Sequence, residues 1–425
     1  MASIVTSKFR VHNAQQFAES FSEASNTIMY LFIGKNTAFP DDNNPPTPVN
    51  STANIEFTPW RDMYAAKRIT TADVTHAVPR YDWTSGTVYD QYDDTDTNLL
   101  EDDFFAITED FNVYKCLFNA GATASTTKPT GVSTSPFTTA DGYIWKYMYT
   151  VTTAKALKFL TNDYIPVQQL DSDDGTDQYD VQQAAVDGGI HVIKITSGGS
   201  GYTTAPAVTI TGDGTGATAN STVTANVVTA VTITAAGTGY TRAAVTFASG
   251  AAAATAIISP KGGHGANAVE ELGGKYIMLN VRLDGTESNT FSTANEFRQV
   301  GIVRDPYLYG TSTRAVASSF RQSFKYQLSS ISGTFTLDET ITSGSNTASA
   351  VEFTTPNLFT TLPVHLPFAN TTTVTGGTSA ATGTIAVITT PGLQPYTGDI
   401  IYVENRVPIS RAADQIEDVK LIIQF

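Results

Sequence analysis

The sequence predicts a mainly β chain with minor α content (α+β), whose multi-domain, β-sandwich-like core carries two Gly/Thr-rich β insertions. Three observations predict it. Segments such as DGYIWKYMYTV, from Asp141 to Val151, alternate with the period of two that a strand requires. Glycine and threonine recur at turn spacing between such segments. Hydrophobic residues make up 41% of the chain and charged residues only 15%, a balance that argues against disorder. At 425 residues the chain is longer than one hydrophobic core usually supports, so several cores are expected.

The net charge of -15, from 40 acidic against 25 basic residues, repels phosphate backbones and anionic membrane surfaces. Neither nucleic acid nor a membrane is an expected partner. Cys116 is the sole cysteine, so no disulfide framework forms within the chain; in NVYKCLF it reads as a small buried hydrophobe. The start, MASIVTSKFRVHNAQQ, lacks the apolar run of a signal peptide, and no segment approaches the ~18 apolar residues of a membrane span. The expected setting is a cytosol-like compartment, or a particle packaged from one.

In chain order, SIVTSKFR alternates as a short strand, and Asn13 is placed to cap a helix carrying Phe17 and Phe21 on one face. TIMYLFI, from Thr27 to Ile33, reads as a buried strand. Lys35 to Ala53 is polar and proline-rich, which forbids a central strand. A compact helical segment follows around Trp60 to Tyr64, then a turn from Ala77 to Trp83. Nine carboxylates and no basic residue lie between Asp90 and Asp110. They lack the spacing of an EF-hand, and so does DSDDGTDQYD, where Gly175 comes one place early and Gln182 replaces the closing glutamate. A solvated acidic edge is the simpler reading. In DGYIWKYMYTV, Tyr143, Trp145, Tyr147, Tyr149 and Val151 fall on one face, a ladder that serves either as half of a β core or as a platform for sugars; the core reading is preferred.

Between positions 181 and 260 only Asp187, Lys194, Asp213 and Arg242 are charged. The stretch contains a duplication, VIKITSGGSGYTTAPAVTI and AVTITAAGTGYTRAAVTF, each read as strand, glycine turn, tyrosine, strand. Its glycine clusters lack the following helix and the Gly-Lys-Ser/Thr ending of a phosphate loop. A second Thr/Gly/Ser-rich insert repeats more weakly, as ETITSGSNTASAV and TTVTGGTSAATGTIAV. The expected organisation is a β-rich core with an N-terminal helix at 1–187, a repeat-built β insertion at 188–259, core again at 260–331, a second β insertion at 332–389, and C-terminal strands returning to the core at 390–425.

Catalytic signatures do not emerge. The five histidines, His12, His76, His191, His264 and His365, show no metal-ligand spacing, and His264 in KGGHGAN reads as a polar loop residue. No G-x-S-x-G elbow occurs, and carboxylates among 40 carry no information about glycoside hydrolysis. No catalytic residue, cofactor or metal is expected.

Several blocks, in order, carry a family resemblance: IVTSKFR, VPRYDW (Val78 to Trp83), VYKCL (Val113 to Leu117), DGYIWKYMY (Asp141 to Tyr149), TNDYIPV (Thr161 to Val167), EFRQVGIVRDP (Glu296 to Pro306), IYVENRVPI and ADQIEDVKLIIQF. They resemble the baseplate wedge subunit encoded by gene eight of T-even-type contractile-tailed phages, and the blocks extend over about half of the chain. The two Gly/Thr-rich segments have no counterpart in the family's pattern. The resemblance implies a non-enzymatic virion protein of the tail baseplate, assembled in the bacterial host cytoplasm, homodimeric and bound to other wedge subunits. A carbohydrate- or receptor-binding protein of the virion surface is the alternative. Glu404, Asn405 and Arg406 read as a structural joint rather than a reactive site, with the final VKLIIQF pairing into the core beside an N-terminal segment. Trp60, Tyr64, Arg80 and Trp83 are the expected partner-interface residues, Trp60 and Tyr64 because they look exposed, with a place in the core as the alternative for each.

Overall fold

The computed structural model describes residues 3–23, 27–365 and 367–425. Strands dominate and helices are few and short, as expected of a mainly β α+β chain. The chain divides into two compact units, one made of Met1–Gln16, Thr75–Met278 and Ile422–Phe425, the other of Phe17–Val74 and Leu279–Leu421. The core expected over 1–187, continued at 260–331 and 390–425, is divided between these two units. The segment from Phe17 to Val74 belongs with strands more than two hundred residues later, a pairing that no local pattern announces.

The N-terminal expectation needs correction. SKFRVHNAQQFAE is helical from Ser7 to Glu19, so Asn13 lies inside the helix rather than capping it. The Thr6 hydroxyl accepts from the Phe9 amide at 3.3 Å, and the run contains no glycine or proline to interrupt it. The C-terminal strand Ile416–Gln424 accordingly neighbours Tyr276–Asp284 and not an N-terminal strand. Ala77 to Pro79, expected in a turn, ends the strand Val74–Pro79 instead, where Val78 is paired with Ile165.

In the first unit, a four-stranded sheet runs in the order Phe105–Ile107, Asn112–Phe118, Ile144–Thr150, Phe137–Thr138. The aromatic ladder lies here, entirely buried, and it is split. A register shift opposite Met148 lets Tyr143, Trp145 and Tyr147 pack with Tyr89, Tyr114 and Cys116, while Tyr149 and Val151 join Met148 in a separate cluster with Phe104, Phe105 and Ile165. A bulge shifts side-chain direction by one residue, so strict alternation overstates the length of the shared face.

The first insertion follows the duplicated pattern. Ile190–Ser197 leads through a glycine turn to Val208–Gly212, and Val227–Thr238 leads through its copy to Ala243–Phe247. Gly199 and Gly201 have φ of 63° and 79°, and their counterparts Gly237 and Gly239 have 67° and 76°. Tyr202 and Tyr240 are both buried, and each hydroxyl accepts a backbone amide, from Ala252 at 2.9 Å and from Ala217 at 3.4 Å. The second strands of the copies, AVTI and AVTF, pair antiparallel as Val208 with Phe247, Thr209 with Thr246 and Ile210 with Val245. The duplication is thus arranged about a local twofold through Thr209 and Thr246. The insertion has its own small core of Ile190, Ile193, Tyr240, Ala256 and Ile258.

In the second unit, a five-stranded sheet runs in the order Ser319–Arg321, Met63–Ile69, Met29–Gly34, Phe297–Arg304, Asp399–Ile409. The second insertion closes into a six-stranded barrel that begins at Phe324, eight residues before the expected border at 332. Its duplicated hairpins, Thr340–Ser343 with Asn346–Thr354 and Thr373–Gly376 with Thr382–Thr389, meet through Ile341 and Gly376. Its interior is continuous with that of the sheet. Tyr30, Phe32, Trp60 and Met63 share one cluster with Phe324, Tyr326, Leu358, Val374 and Ile385. The two insertions therefore differ physically: the first encloses a small core of its own and adds only Val192 and Ile257 to the larger core of its unit, and the second completes the core of its unit.

The first insertion offers a test. A Cβ added at Gly250, whose φ is +78°, would lie 2.3 Å from the Tyr202 ring. Gly250→Ala is expected to destabilise this module by roughly 1–3 kcal/mol, since overpacking and positive φ act together. Hydrogen exchange should speed up across 190–258 and hold constant elsewhere; uniform or absent change would contradict the packing described.

Candidate functional site

Strand pairing in the first unit creates an electrostatic problem, because it sets Lys115 directly opposite Lys146 on neighbouring strands and both are buried. Like charges facing across a sheet destabilise it. Glu271 resolves this. It closes the short helix Ala268–Glu271, whose start is capped by the Asn267 side chain accepting from Glu270. Its Oε2 accepts from Lys115 Nζ at 2.8 Å, and its Oε1 accepts the amides of Gly265 at 2.7 Å and Asn267 at 3.2 Å. The carboxylate therefore neutralises a buried cation and ties down the loop between Pro260 and Asn267.

That loop carries His264. Far from being a solvated loop residue, as KGGHGAN suggests, His264 is buried, with Nδ1 3.1 Å from Lys115 Nζ and its ring edge-on to Tyr92 at 4.8 Å. The ammonium donates to Nδ1, which leaves the imidazole proton on Nε2. The Lys115 Nζ also lies over the Tyr92 ring, 4.0 Å from its centre. His191 stacks obliquely on His264 at 5.5 Å.

Burial dominates the titration of this cluster. It lowers the Lys115 pKa against the opposing pull of Glu271. It lowers that of Lys146 to about 8, with Glu271 opposing and Lys115 reinforcing. His191 is lowered to about 4 by burial and then by Lys146 and Lys115. His264 is held well below its ordinary value by burial, Lys115, His191 and Lys146.

An open groove of about 270 Å³ lies alongside, with Val11, Tyr92, Leu99, Leu100, Pro260 and Glu271 among its lining residues. Glu271 and Tyr92 face it only as members of the clamp just described. Lys115 has no exposed side-chain surface and its donors are committed, so it presents no free nucleophile or base. It functions chemically as a clamp holding a glycine-rich loop to a sheet. Among the described residues no group of three or more His, Cys, Asp or Glu is placed to hold a metal ion. The acidic run is less uniformly solvated than expected: Asp93 is buried and pairs with Lys194 at 2.9 Å, and Asp94 accepts the Ile258 amide at 3.2 Å.

The residues singled out from sequence fall in different places. Glu404, Asn405 and Arg406 lie within one continuous edge strand, Asp399–Ile409, in the second unit. Arg406 grips Glu404 through two hydrogen bonds of 2.8 and 3.1 Å, and Tyr402 donates to the same carboxylate at 2.8 Å. Asn405 donates to the Pro46 carbonyl and accepts from Gln299, both at 2.8 Å. Arg406 also reaches the Lys420 carbonyl at 3.3 Å. The triplet binds a loop, a neighbouring strand and the C-terminal strand. Pro408 lies near the end of this strand, where an edge tolerates a missing donor.

Trp60 and Tyr64 are each 1% exposed, which corrects the expectation that they face a partner. Trp60 lies in the core of its unit, and the short helix Thr58–Asp62 ends before Tyr64, which belongs to the strand Met63–Ile69. Arg80 and Trp83 remain partly exposed. Arg80 bonds Asp82 at 2.9 Å and the Thr161 carbonyl at 2.8 Å, and the Trp83 ring nitrogen donates to Ser125 at 3.2 Å. Cys116 is buried in the aromatic cluster, which pushes its thiol pKa well up and leaves it unreactive.

The Lys115, His264 and Glu271 clamp escaped sequence reasoning because its members are separated by about 150 residues. The signal available was a lysine at an inward position of each of two paired strands, which demands a buried anion. No protein-family model matches the chain, and no curated protein matches its sequence.

Two outcomes follow from the clamp. Glu271→Ala leaves the buried Lys115 without its anion and is expected to cost about 3–5 kcal/mol in thermal or urea unfolding. His191 has a folded pKa of about 4, below the 6.5 of an ordinary histidine. Its contribution to stability is therefore complete above pH 6.5 and lost as pH falls through 4, about 3 kcal/mol in all. Melting curves of His191→Asn against the unaltered chain should converge over that range; parallel curves would contradict the assignment.

Proposed function

We propose that this chain is a structural, non-enzymatic subunit of a contractile phage tail, placed in the baseplate wedge, where it forms a homodimer and binds neighbouring wedge subunits. The observation that carries this reading is where the resembling blocks lie. VPRYDW, VYKCL, DGYIWKYMY, TNDYIPV, EFRQVGIVRDP, IYVENRVPI and ADQIEDVKLIIQF overlap the strands Val74–Pro79, Asn112–Phe118, Ile144–Thr150, Tyr164–Val167, Phe297–Arg304, Asp399–Ile409 and Ile416–Gln424. These are framework strands, whereas the two segments without a counterpart form the duplicated module and most of the barrel. A framework retained in order, with modules added between its strands, is how a scaffold subunit accommodates decoration.

The chemistry of the interior agrees with this role. The buried Lys115 and Glu271 of the first unit are matched to one another and serve packing. In a virion the protein would be assembled in the host cytoplasm and held by interfaces of ~800 Å² or more per partner. The glycan-binding alternative drew on the repeat-built inserts and on the aromatic ladder, and all four rings of the ladder are buried in the chain. They offer no face on which a sugar could stack.

Light scattering at micromolar concentration is expected to give twice the 45.3 kDa chain mass, and co-expressed neighbouring wedge subunits should co-purify with it. A monomer that ignores every other tail component would overturn the reading, as would saturable turnover of a substrate.

A further inference from the structure

The clamp engages the ring of Tyr92 and leaves its hydroxyl over. Lys115 Nζ lies over one face of the ring and His264 meets it edge-on, so that the residue is only 6% exposed. Among the described residues nothing hydrogen-bonds the hydroxyl, yet it is not one of the polar atoms sealed from solvent. Tyr92 lines the open groove of about 270 Å³, and that is where its hydroxyl emerges. A polar group on an otherwise buried residue, facing a cavity and without a partner in the chain, is suited to recognition.

The remaining lining residues select the partner. Val11, Leu99, Leu100 and Pro260 give the groove apolar walls, and Lys8 is the one cation among them. Of its carboxylates, Glu271 is bound to Lys115 and Glu101 to Lys275, whereas Asp96 and Glu270 are exposed and pair with no cation among the described residues. Burial, and after it the charges of Asp90, Asp96 and Glu101, hold the neighbouring Asp102 carboxyl above its ordinary value, so negative potential prevails along this edge. Anions are repelled there. The groove is smaller than the ~300–1,000 Å³ of sites that enclose a small molecule, which suits the side chains of a passing polypeptide. Ile4, Val5 and Phe9 are exposed as well, on the segment that supplies the wall at Ser7 and Lys8, so apolar surface continues along that wall's own segment.

We propose that this groove docks a segment of another protein in which a lysine or arginine adjoins an aliphatic side chain. Both cationic residues carry an apolar stem and a charged end, the two halves that the groove accommodates. The stem and its aliphatic neighbour lie against Val11, Leu99 and Leu100, and the charge reaches Asp96 and Glu270 at the rim. The Tyr92 hydroxyl donates to a backbone carbonyl of the docked segment. The inference stands apart from the baseplate reading, because it specifies the chemistry of the segment and not the assembly that supplies it.

Fluorescence anisotropy tests this with the full chain and the labelled peptide Gly-Leu-Lys-Leu-Gly, beside two counterparts that carry glutamate or norleucine in place of lysine. The lysine peptide is expected to bind saturably and more weakly as salt rises. The norleucine peptide, which keeps the stem without the charge, should bind roughly fivefold more weakly, and the glutamate peptide not at all. Glu270→Gln, at an exposed position, and Tyr92→Phe, which keeps the ring, should each weaken the lysine peptide by roughly 2–10-fold. Absence of binding overturns the proposal, as does equal binding of the three peptides or binding that both substitutions leave unchanged. A dimer of the chain alone that Glu270→Gln dissociates, in place of peptide binding, assigns the groove to a second copy and overturns it too.

Discussion

Two lysines face one another across paired strands in the interior of the first unit, and the arrangement is tolerable only because a single carboxylate lies beside them. A buried ammonium is costly in a medium that cannot solvate it, and a second one opposite raises the cost. Glu271 offsets this for Lys115 directly and for Lys146 at longer range. The geometry needed to place Glu271 then dictates much else. Its second oxygen organises the glycine-rich loop, the loop inserts His264, and His264 closes over Tyr92, whose ring supports Lys115 from another side. Each member is held by the others, which is why such a clamp gives a unique arrangement rather than a fluid one.

The two insertions show two ways of adding β structure to a framework. In the module at 188–259 glycine turns repeat with the same positive φ, and a tyrosine lies against the glycines of each copy. Antiparallel pairing of equivalent strands makes two copies of one short sequence complete each other. The later barrel takes the opposite course: strand closure leaves it without sheet edges, and its interior merges with that of the adjoining sheet. The first module thus keeps a small core of its own while Val192 and Ile257 join the larger core of its unit, whereas the barrel shares its core throughout.

The edge strand Asp399–Ile409 illustrates how polar residues serve assembly rather than reaction. Glu404 is fully occupied by Arg406 and Tyr402, and Asn405 by a loop carbonyl and a glutamine. An acid, an amide and a guanidinium in three consecutive positions look like a site when read in one dimension. In three dimensions alternate side chains of a strand point to opposite faces, so Asn405 is separated from the pair that flanks it. Such joints suit a protein whose proposed work is to be gripped on several sides.

Periodicity determined most of the strands, the duplicated module and the buried state of Cys116. These are local properties, set by alternation and by the conformational freedom of glycine, and a sequence displays them directly. Tertiary structure alone decided that Phe17 to Val74 joins a distant part of the chain, that the aromatic ladder is split at Met148, that Trp60 and Tyr64 are interior, and that His264 meets Lys115 and Glu271. The physical reason is common to all four: burial and charge pairing depend on which surfaces come together across hundreds of residues. Neither hydrophobic period nor composition carries that information.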